Sequence, residues 1–301
     1  MNGPMTGRTG VPLTIFKRGM IAWLVISGSA CNGRDASLPT TPTSATQTSA
    51  PVQKVFTRIS GGVADTAFRP LTGVRIEFLD GPQAGTSTET DADSAFSFSG
   101  TFTGVVTVRA TKEGYVSATQ ALNLQLVCCS SDSAFIFFTL ESAVPSVKIE
   151  PGDYSLTLIA DNACGDLPAD LRTRTYSATI TRGSTLPSNT HYDVEVSGPL
   201  LSSFGFGIGV SGNYLGFVID GPAFFEHIPP LTYLEIAGQG GTSVDTSILS
   251  TISIPFAGSF EYCVLNSEMN RTSNCYTTPP DQKIAYSQCL SNRDLMILTR
   301  R

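Results

Sequence analysis

The sequence predicts an all-β protein in which a β-sandwich is followed by an antiparallel β-barrel or by a second sandwich. Short segments of alternating apolar and polar residues recur along most of the chain, which is the period of a half-buried strand. Turn residues separate them, drawn from 28 glycines and 18 prolines in 301 residues. Charged residues make up only 15% of the chain, against about 25% in an ordinary globular domain. This composition, rich in Gly, Ser and Thr, is typical of β proteins.

Charge and composition exclude several classes of function. The net charge is −6 and the isoelectric point is near 4.9, so we expect no nucleic-acid partner, since such a partner needs a basic face. The chain has two histidines and lacks the phosphate-loop, nucleophile-elbow and zinc-protease motifs. We therefore expect no cofactor and no metal site.

Residues 1–30 have the pattern of a secretory signal. Arg8, Lys17 and Arg18 precede a run of seven apolar residues at 20–26, and small residues follow at 27–30. Seven apolar residues are too few to span about 30 Å of hydrocarbon, which takes about 20 residues in a helix. The segment is therefore predicted to direct export rather than to form a permanent membrane span.

The segment 28–31, Gly-Ser-Ala-Cys, resembles the lipobox of bacterial lipoproteins. The resemblance implies that Cys31 becomes the lipidated first residue of the mature chain and holds the protein on a membrane. Asn32 in the next position favours the outer membrane if the usual lipoprotein sorting pattern applies. The alternative is ordinary cleavage nearby, which would leave Cys31 as a free thiol or a disulfide partner.

Residues 31–53 are predicted to be a disordered tether between this anchor and the folded body. Within 37–53 there is no charge, and 11 of the 17 residues are Ser, Thr or Pro. A lipid followed by a tether indicates a protein of the bacterial cell envelope.

The first folded domain is predicted over residues 54–143, as a β-sandwich of about seven short strands. Alternation marks six segments, the first of which is expected to end at Gly61-Gly62. These segments are 55–60, 73–79, 95–99, 105–110, 121–127 and 134–140.

Thirteen positions between Gly62 and Tyr115, among them turn glycines and core aromatic residues, make this part of the chain resemble the carboxypeptidase regulatory-like domain, which has a transthyretin-like fold. Ser94 stands where the turn of that family usually has Gly, and Val105 where an aromatic residue is common. The resemblance implies a non-catalytic accessory module, sometimes found on carbohydrate-binding proteins. The matching positions are Gly62, Val63, Asp65, Pro70, Leu71, Gly73, Val74, Thr90, Asp91, Phe96, Phe98, Gly114 and Tyr115.

The second domain is predicted over residues 147–301, with eight to ten antiparallel strands. The only helix-like segment is 166–172, which Asp166 is expected to cap and in which Pro168 lies in the first turn. Strands in this number fit a closed up-and-down barrel or a second two-sheet sandwich. The predicted strands are 154–160, 175–181, 191–197, 204–210, 214–220, 233–237, 247–254, 259–265, 283–289 and 294–299.

The ends of this domain are faintly similar to those of lipocalin-like barrels. Gly152-Asp153-Tyr154 stands where such barrels often begin with Gly-x-Trp, and Arg300 or Arg301 follows the last strand, where they often keep an Arg. The likeness implies a barrel shape and, with an apolar interior, a small apolar ligand.

A glycine motif at residues 207–212, GIGVSG, matches the G-x-G-x-x-G of dinucleotide-binding folds. That motif needs a helix directly after it, whereas residues 214–220 have the pattern of another strand. A Gly-rich hairpin with close backbone packing is therefore the favoured interpretation.

Two further patterns are weighed as sites. Asp91 and Asp93 begin like a calcium loop, but the positions for a third ligand and for Gly hold Ala95 and Phe96, which favours solvated turn carboxylates. The dipeptide 226–227, Glu-His, has the residue types of half an acid–base pair, and without a visible second partner a structural role is favoured.

Six cysteines follow Cys31, and an even number on an exported chain predicts disulfides rather than zinc. A hairpin would bring Cys263 beside Cys275. Neighbouring first and last strands of a barrel would join Cys164 to Cys289. The remaining residues, Cys128 and Cys129, form either a strained vicinal disulfide or two free thiols.

The predicted function is a non-enzymatic, lipid-anchored binding or structural module of the cell envelope. Carbohydrate and a small apolar molecule are the two candidate ligands, and the membrane is the partner of the lipid. The alternative is an envelope hydrolase acting on peptides or glycans through a dispersed site. An exposed aromatic platform on the first domain would favour carbohydrate binding, whereas two close carboxylates in a pocket would favour the hydrolase.

Overall fold

The strands follow the alternation of the sequence throughout the part of the chain that the computed structural model describes. That part comprises residues 54–126, 132–183, 190–198, 205–245, 248–269 and 274–301, all within one compact unit. The predicted signal, Cys31, the tether and the pair Cys128 and Cys129 lie outside it. The strands are β1 Phe56–Asp65, β2 Arg75–Phe78, β3 Ser87–Glu89, β4 Ala95–Phe102, β5 Val105–Thr111, β6 Ala118–Asn123, β7 Ser133–Leu140, β8 Lys148–Ile149, β9 Gly152–Ile159, β10 Thr173–Arg182, β11 His191–Ser197, β12 Gly205–Ser211, β13 Tyr214–Ile228, β14 Thr232–Ser243, β15 Ile248–Leu249, β16 Thr251–Leu265 and β17 Lys283–Arg300.

Strands β1 to β7 form two sheets around one core, so the all-β class predicted from the sequence is confirmed here. One sheet has the order β4-β1-β7, in which β1 is antiparallel to β4 and parallel to β7. The other has the order β3-β2-β5-β6 and is antiparallel throughout. The inward residues of both sheets are buried together, and the largest of them are Phe56, Phe78, Phe102 and Phe138.

Strand β1 does not end at Gly61-Gly62, as the sequence pattern predicts, but continues to Asp65. The glycines serve close packing rather than a turn. A Cβ on Gly61 would lie 1.9 Å from the backbone oxygen of Ile136 and 2.6 Å from the ring of Phe96. Strand β3 has no apolar alternation, which is why the sequence did not reveal it.

The second group of strands closes into an eight-stranded antiparallel barrel, which decides between the barrel and a second sandwich. The order is β9-β10-β11-β12-β13-β14-β16-β17, and β17 returns to β9. The two positions of the lipocalin-like pattern meet at that closure, since Arg300 pairs with Tyr154, which is fully buried. The limits of the two domains, 54–143 and 147–301, stay predictions.

Four strands of the barrel are longer than the sequence pattern indicated. Strands β13 and β14 continue past the expected ends at Asp220 and Ala237. The predicted segments 283–289 and 294–299 are one strand, β17. Segment 259–265 is the end of β16, which begins at Thr251 and so also contains the second half of the predicted segment 247–254. Register shifts interrupt the alternation inside these strands, and such bulges look like strand ends in a sequence.

Short segments cover the two ends of the barrel. The parallel pair β8–β15 places Ile149 and Leu249 against the barrel core. At the other end the loop after β9 buries Leu167 in the same core. The helix predicted from Asp166 is wrong in extent and cap, since it is a single 3-10 turn, Ala169–Leu171, that begins after Pro168 and has no side-chain cap.

Two disulfides link loops to the barrel. Cys164 bonds Cys289 and Cys263 bonds Cys275, and these are the two pairings that the sequence predicts. The details differ, because Cys289 lies within β17 rather than before the last strand. Cys164 lies in the loop that follows β9. Its disulfide therefore connects β17 to the chain just beyond the end of β9, where these two strands close the barrel.

Candidate functional site

The outer face of the sheet β4-β1-β7 carries an exposed aromatic side chain in a polar setting. We call this surface the sheet face and define it by three rows of paired residues across β4, β1 and β7. The middle row is Ser97, Ser60 and Phe135. The flanking rows are Ser99, Arg58 and Ser133 on one side, and Ala95, Gly62 and Phe137 on the other.

Alternation along three strands builds this surface. Successive side chains of a strand point to opposite faces, so Ile59, Gly61 and Val63 enter the core while Arg58 and Ser60 face outward. On β7 the same period buries Ala134 and Ile136 and turns Phe135 outward.

Two features make the sheet face flat and apolar along β7. Phe135 is 65% exposed. The ring of Phe137 lies against Gly62, where a Cβ would be 3.3 Å from the ring. Directly paired residues have Cβ atoms about 4.5–5.5 Å apart, so the hydroxyl of Ser60 borders Phe135. The surface therefore combines a phenyl ring with hydroxyl groups at close range.

Arg58 adds a fixed positive charge to the sheet face. Its Nε donates a hydrogen bond of 2.8 Å to the Oγ of Ser97, and its side chain is exposed. This bond holds the guanidinium on the β4 side of the face, whereas Phe135 lies on β7, on the other side of β1. The sequence alone does not reveal this surface, because its residues come from segments about 40 positions apart.

Glu226 and His227, the candidate acid–base pair, point to opposite sides of β13. Glu226 is buried and accepts hydrogen bonds from Arg174 and from the hydroxyl of Tyr176, the latter at 2.5 Å. His227 stacks on Tyr233 with ring centroids 4.8 Å apart. The two side chains therefore act separately, as the structural interpretation of the sequence expects.

The negative charge of the buried Glu226 is balanced by Arg174 and by the hydroxyl of Tyr176. Burial is the main cause that raises the pKa of Tyr176, and its hydrogen bond to Glu226 adds to the shift. The same carboxylate raises the pKa of Arg174 through hydrogen bonds. Removing Arg174 would leave the charge of Glu226 buried without a partner. Because Arg174 lies on β10 and Glu226 on β13, the ion pair connects these two strands of the barrel.

The glycine motif at 207–212 is a hairpin that receives another part of the chain. Gly209 pairs with Gly216 across β12 and β13, and their α-carbons meet residues 65–69, which we call the docking loop. A Cβ on Gly209 would lie 2.0 Å from the backbone oxygen of Thr66. The strand that follows and this close approach support the Gly-rich hairpin rather than a dinucleotide site.

Three side chains of the docking loop complete this contact. The hydroxyl of Thr66 donates to the backbone oxygen of Val210. The guanidinium of Arg69 lies 4.2 Å from the ring centroid of Tyr214. The ring of Phe68 meets His191 edge-on at 6.0 Å. The sandwich and the barrel are thus joined through backbone-to-backbone packing that glycine alone permits.

Asp91 and Asp93 form a turn rather than a calcium loop. Asp91 Oδ1 accepts the backbone N–H groups of Asp93 and Ala95, both at 2.9 Å, so the carboxylate stabilises its own turn. Ser94 takes a positive φ of 61°, a backbone conformation that glycine adopts more readily than other residues.

Asp161 and Asp294 are two close carboxylates, the feature that would favour a hydrolase. Asp161 accepts hydrogen bonds from Ser291 and Arg293, and the Ser291 hydroxyl is the main cause that lowers its pKa. Asp294 is fully buried and accepts the N–H of Asp161, and burial raises its pKa. The hydrogen bonds of the two aspartates connect the loop after β9 to β17. A substrate could not reach Asp294, because its carboxyl group is fully buried.

The barrel interior is filled by its own side chains in the part of the chain that is described. Tyr154, Phe217 and Phe260 are fully buried in one cluster with the aliphatic residues of the strands. A small apolar ligand would have to displace them. The sheet face is therefore the better candidate for a binding site.

No protein-family model matches the chain, and no curated protein matches it. Within the described ranges no group of three or more His, Cys, Asp or Glu residues is placed to hold a metal ion. No helix among these residues has the length and apolar character needed to cross a membrane.

Proposed function

We propose that the chain is a lipid-anchored binding module of the bacterial cell envelope that holds carbohydrate on the sheet face. The observation that carries this proposal is Phe135, which is 65% exposed at the end of a row that continues through Ser60 and Ser97. The resemblance of residues 54–143 to accessory modules supports it. The predicted lipid on Cys31 and the tether that follows it would hold this surface near the membrane.

The chemistry of the sheet face suits a sugar. A pyranose ring presents a face of C–H groups and a rim of hydroxyl groups. A phenyl ring such as that of Phe135 covers the C–H face, and serine hydroxyls donate to and accept from the rim. An exposed aromatic ring without such hydroxyls would favour a protein partner instead.

The carboxylates that a hydrolase would use are engaged elsewhere, which supports binding rather than catalysis. Glu226 is held by Arg174 and Tyr176 inside the barrel. Asp161 and Asp294 hold the β9 loop to β17.

Replacing Phe135 with Ala is expected to weaken binding to polysaccharide about 5- to 150-fold, because stacking on an aromatic ring contributes about 1–3 kcal/mol in comparable contacts. The measurement is retention of the purified full-length chain in native gels containing peptidoglycan fragments, neutral polysaccharide or acidic polysaccharide. Val105→Ala is the matched control, since Val105 is 54% exposed on the other sheet. Unchanged retention of Phe135→Ala would contradict the proposal. A loss of self-association instead would identify the sheet face as a contact between copies.

Replacing Cys31 with Ser is expected to release the protein from the membrane fraction, because the thioether-linked lipid anchor would be lost. The chain is acidic, so it has no electrostatic attraction to anionic lipids that could replace the anchor. Cell fractionation followed by immunoblotting measures the distribution. Asn32→Asp is the matched control: it should stay membrane-bound and move to the inner membrane. Membrane attachment that survives Cys31→Ser would show that the lipoprotein assignment is wrong.

A further inference from the structure

Arg58 has no acidic partner among the described residues. Five other arginines lie within 4.0 Å of a carboxylate oxygen, namely Arg69, Arg75, Arg109, Arg174 and Arg293. Arg58 contacts a neutral hydroxyl instead, that of Ser97. The nearby Asp132 meets β1 through its backbone oxygen, which accepts the N–H groups of Thr57 and Arg58. A cation without a described counter-charge thus lies on the sheet face of a chain that is acidic as a whole.

The position of the guanidinium relative to Phe135 is set by the sheet. Arg58 is paired with Ser133, two residues before Phe135 on β7, so the guanidinium stem and the ring rise from neighbouring rows of the same face. The hydrogen bond to Ser97 uses Nε, which leaves the two terminal nitrogens of the fork directed away from that contact. A planar fork with two such nitrogens matches a carboxylate in bidentate geometry.

We infer that the sheet face selects carbohydrate that carries a carboxylate, such as a uronic-acid polymer, with Phe135 covering the sugar ring and Arg58 pairing with its carboxylate. This inference rests on the proposed function and adds the substrate class. Neutral sugars would satisfy the ring and the serines but leave the cation unpaired. A cation held on the same face as a stacking ring therefore discriminates between the two classes through charge.

The test compares polygalacturonate with the same polymer after full methyl esterification, which keeps the sugar and removes the charge. Binding of the full-length chain is measured by affinity electrophoresis in each polymer, at low salt and in about 0.5 M NaCl, where charge interactions at the surface are screened. The variants are Arg58→Gln, Arg58→Lys and Phe135→Ala. Near-ultraviolet circular dichroism of each variant confirms that the fold is kept.

The expected result is that the wild-type chain binds polygalacturonate about tenfold more tightly than the ester and that salt reduces this preference. Arg58→Gln should bind both polymers at the weaker level, and Arg58→Lys should recover only part of the preference, because an ammonium is not bidentate. Phe135→Ala should lose binding to both. Equal binding of the two polymers by the wild-type chain would overturn the charge selection and leave the proposed function standing. Failure to bind either polymer would overturn both.

Discussion

Replacing Gly216 with Ala is expected to undock the sandwich from the barrel while both stay folded. A Cβ at this position would lie 1.9 Å from the backbone oxygen of Ala67, a distance that no side-chain rotation relieves. The docking loop has little freedom to retreat, since Asp65 Oδ1 accepts the N–H groups of Ala67 and Arg69 at 2.9 and 3.0 Å. Overpacking of this kind costs about 3 kcal/mol.

The expected consequence is a change from one unfolding transition to two. Each part has its own buried core, and undocking breaks the interactions of Thr66, Phe68 and Arg69 with the barrel. Urea unfolding followed by fluorescence and by far-ultraviolet circular dichroism would separate the two transitions. Limited proteolysis should also cut the freed chain near residues 143–147.

Gly165→Ala is the control for this prediction. Nothing lies within 4 Å of a Cβ built on Gly165, so the same substitution in the barrel loop should leave stability within about 0.5 kcal/mol. A single transition in Gly216→Ala at unchanged denaturant midpoint would show that the docking loop shifts freely. In that case the glycine pair would have no structural role in joining the two parts.

The sequence predicted the architecture where local pattern decides structure. Period-two alternation located most strands, and the adjacency of first and last strands in a barrel predicted the pair Cys164 and Cys289. The pattern failed where a strand departs from regular alternation. The bulge between Phe256 and Gly258 concealed the continuity of β16, and Gly61 looked like a turn because close packing and turns use the same residue.

The candidate site was outside the reach of the sequence for a different reason. Arg58, Ser97 and Phe135 become neighbours only when β1 pairs with β4 on one side and with β7 in parallel on the other. Nothing in one sequence specifies that parallel pairing. The dipeptide Glu226-His227 shows the converse, since adjacent residues of a strand look like a pair in the sequence and point to opposite faces in the fold.

Glu235 is expected to make stability fall as the pH rises from about 5 to 8. Its side chain is buried on β14 beneath the segment that carries Cys275, whose backbone N–H it accepts. Burial is the main cause that raises its pKa to about 7, and the nearby Glu261 adds to it, against the opposing effects of the Cys275 N–H and Lys283. The folded chain therefore binds this proton more tightly than the unfolded chain, where the pKa is 4.5.

The sign follows from proton linkage. Between pH 4.5 and about 7 the folded state holds the proton that the unfolded state has released, so each rise in pH over this window lowers the free energy of unfolding. Over the whole window the loss amounts to about 3 kcal/mol, and it is complete above the folded pKa.

Replacing Glu235 with Gln should remove this dependence, because the amide cannot ionise and its oxygen still accepts the N–H of Cys275. We expect the variant to match the wild-type chain at about pH 5 and to exceed its free energy of unfolding by up to about 3 kcal/mol at about pH 8. Urea denaturation at the two pH values measures both. Glu268→Gln is the matched control, since Glu268 is an exposed residue between β16 and Cys275 and loses the same charge. If Glu235→Gln and Glu268→Gln respond alike at the higher pH, the carboxyl of Glu235 is hydrated in solution and the burial seen beneath Cys275 does not govern its proton.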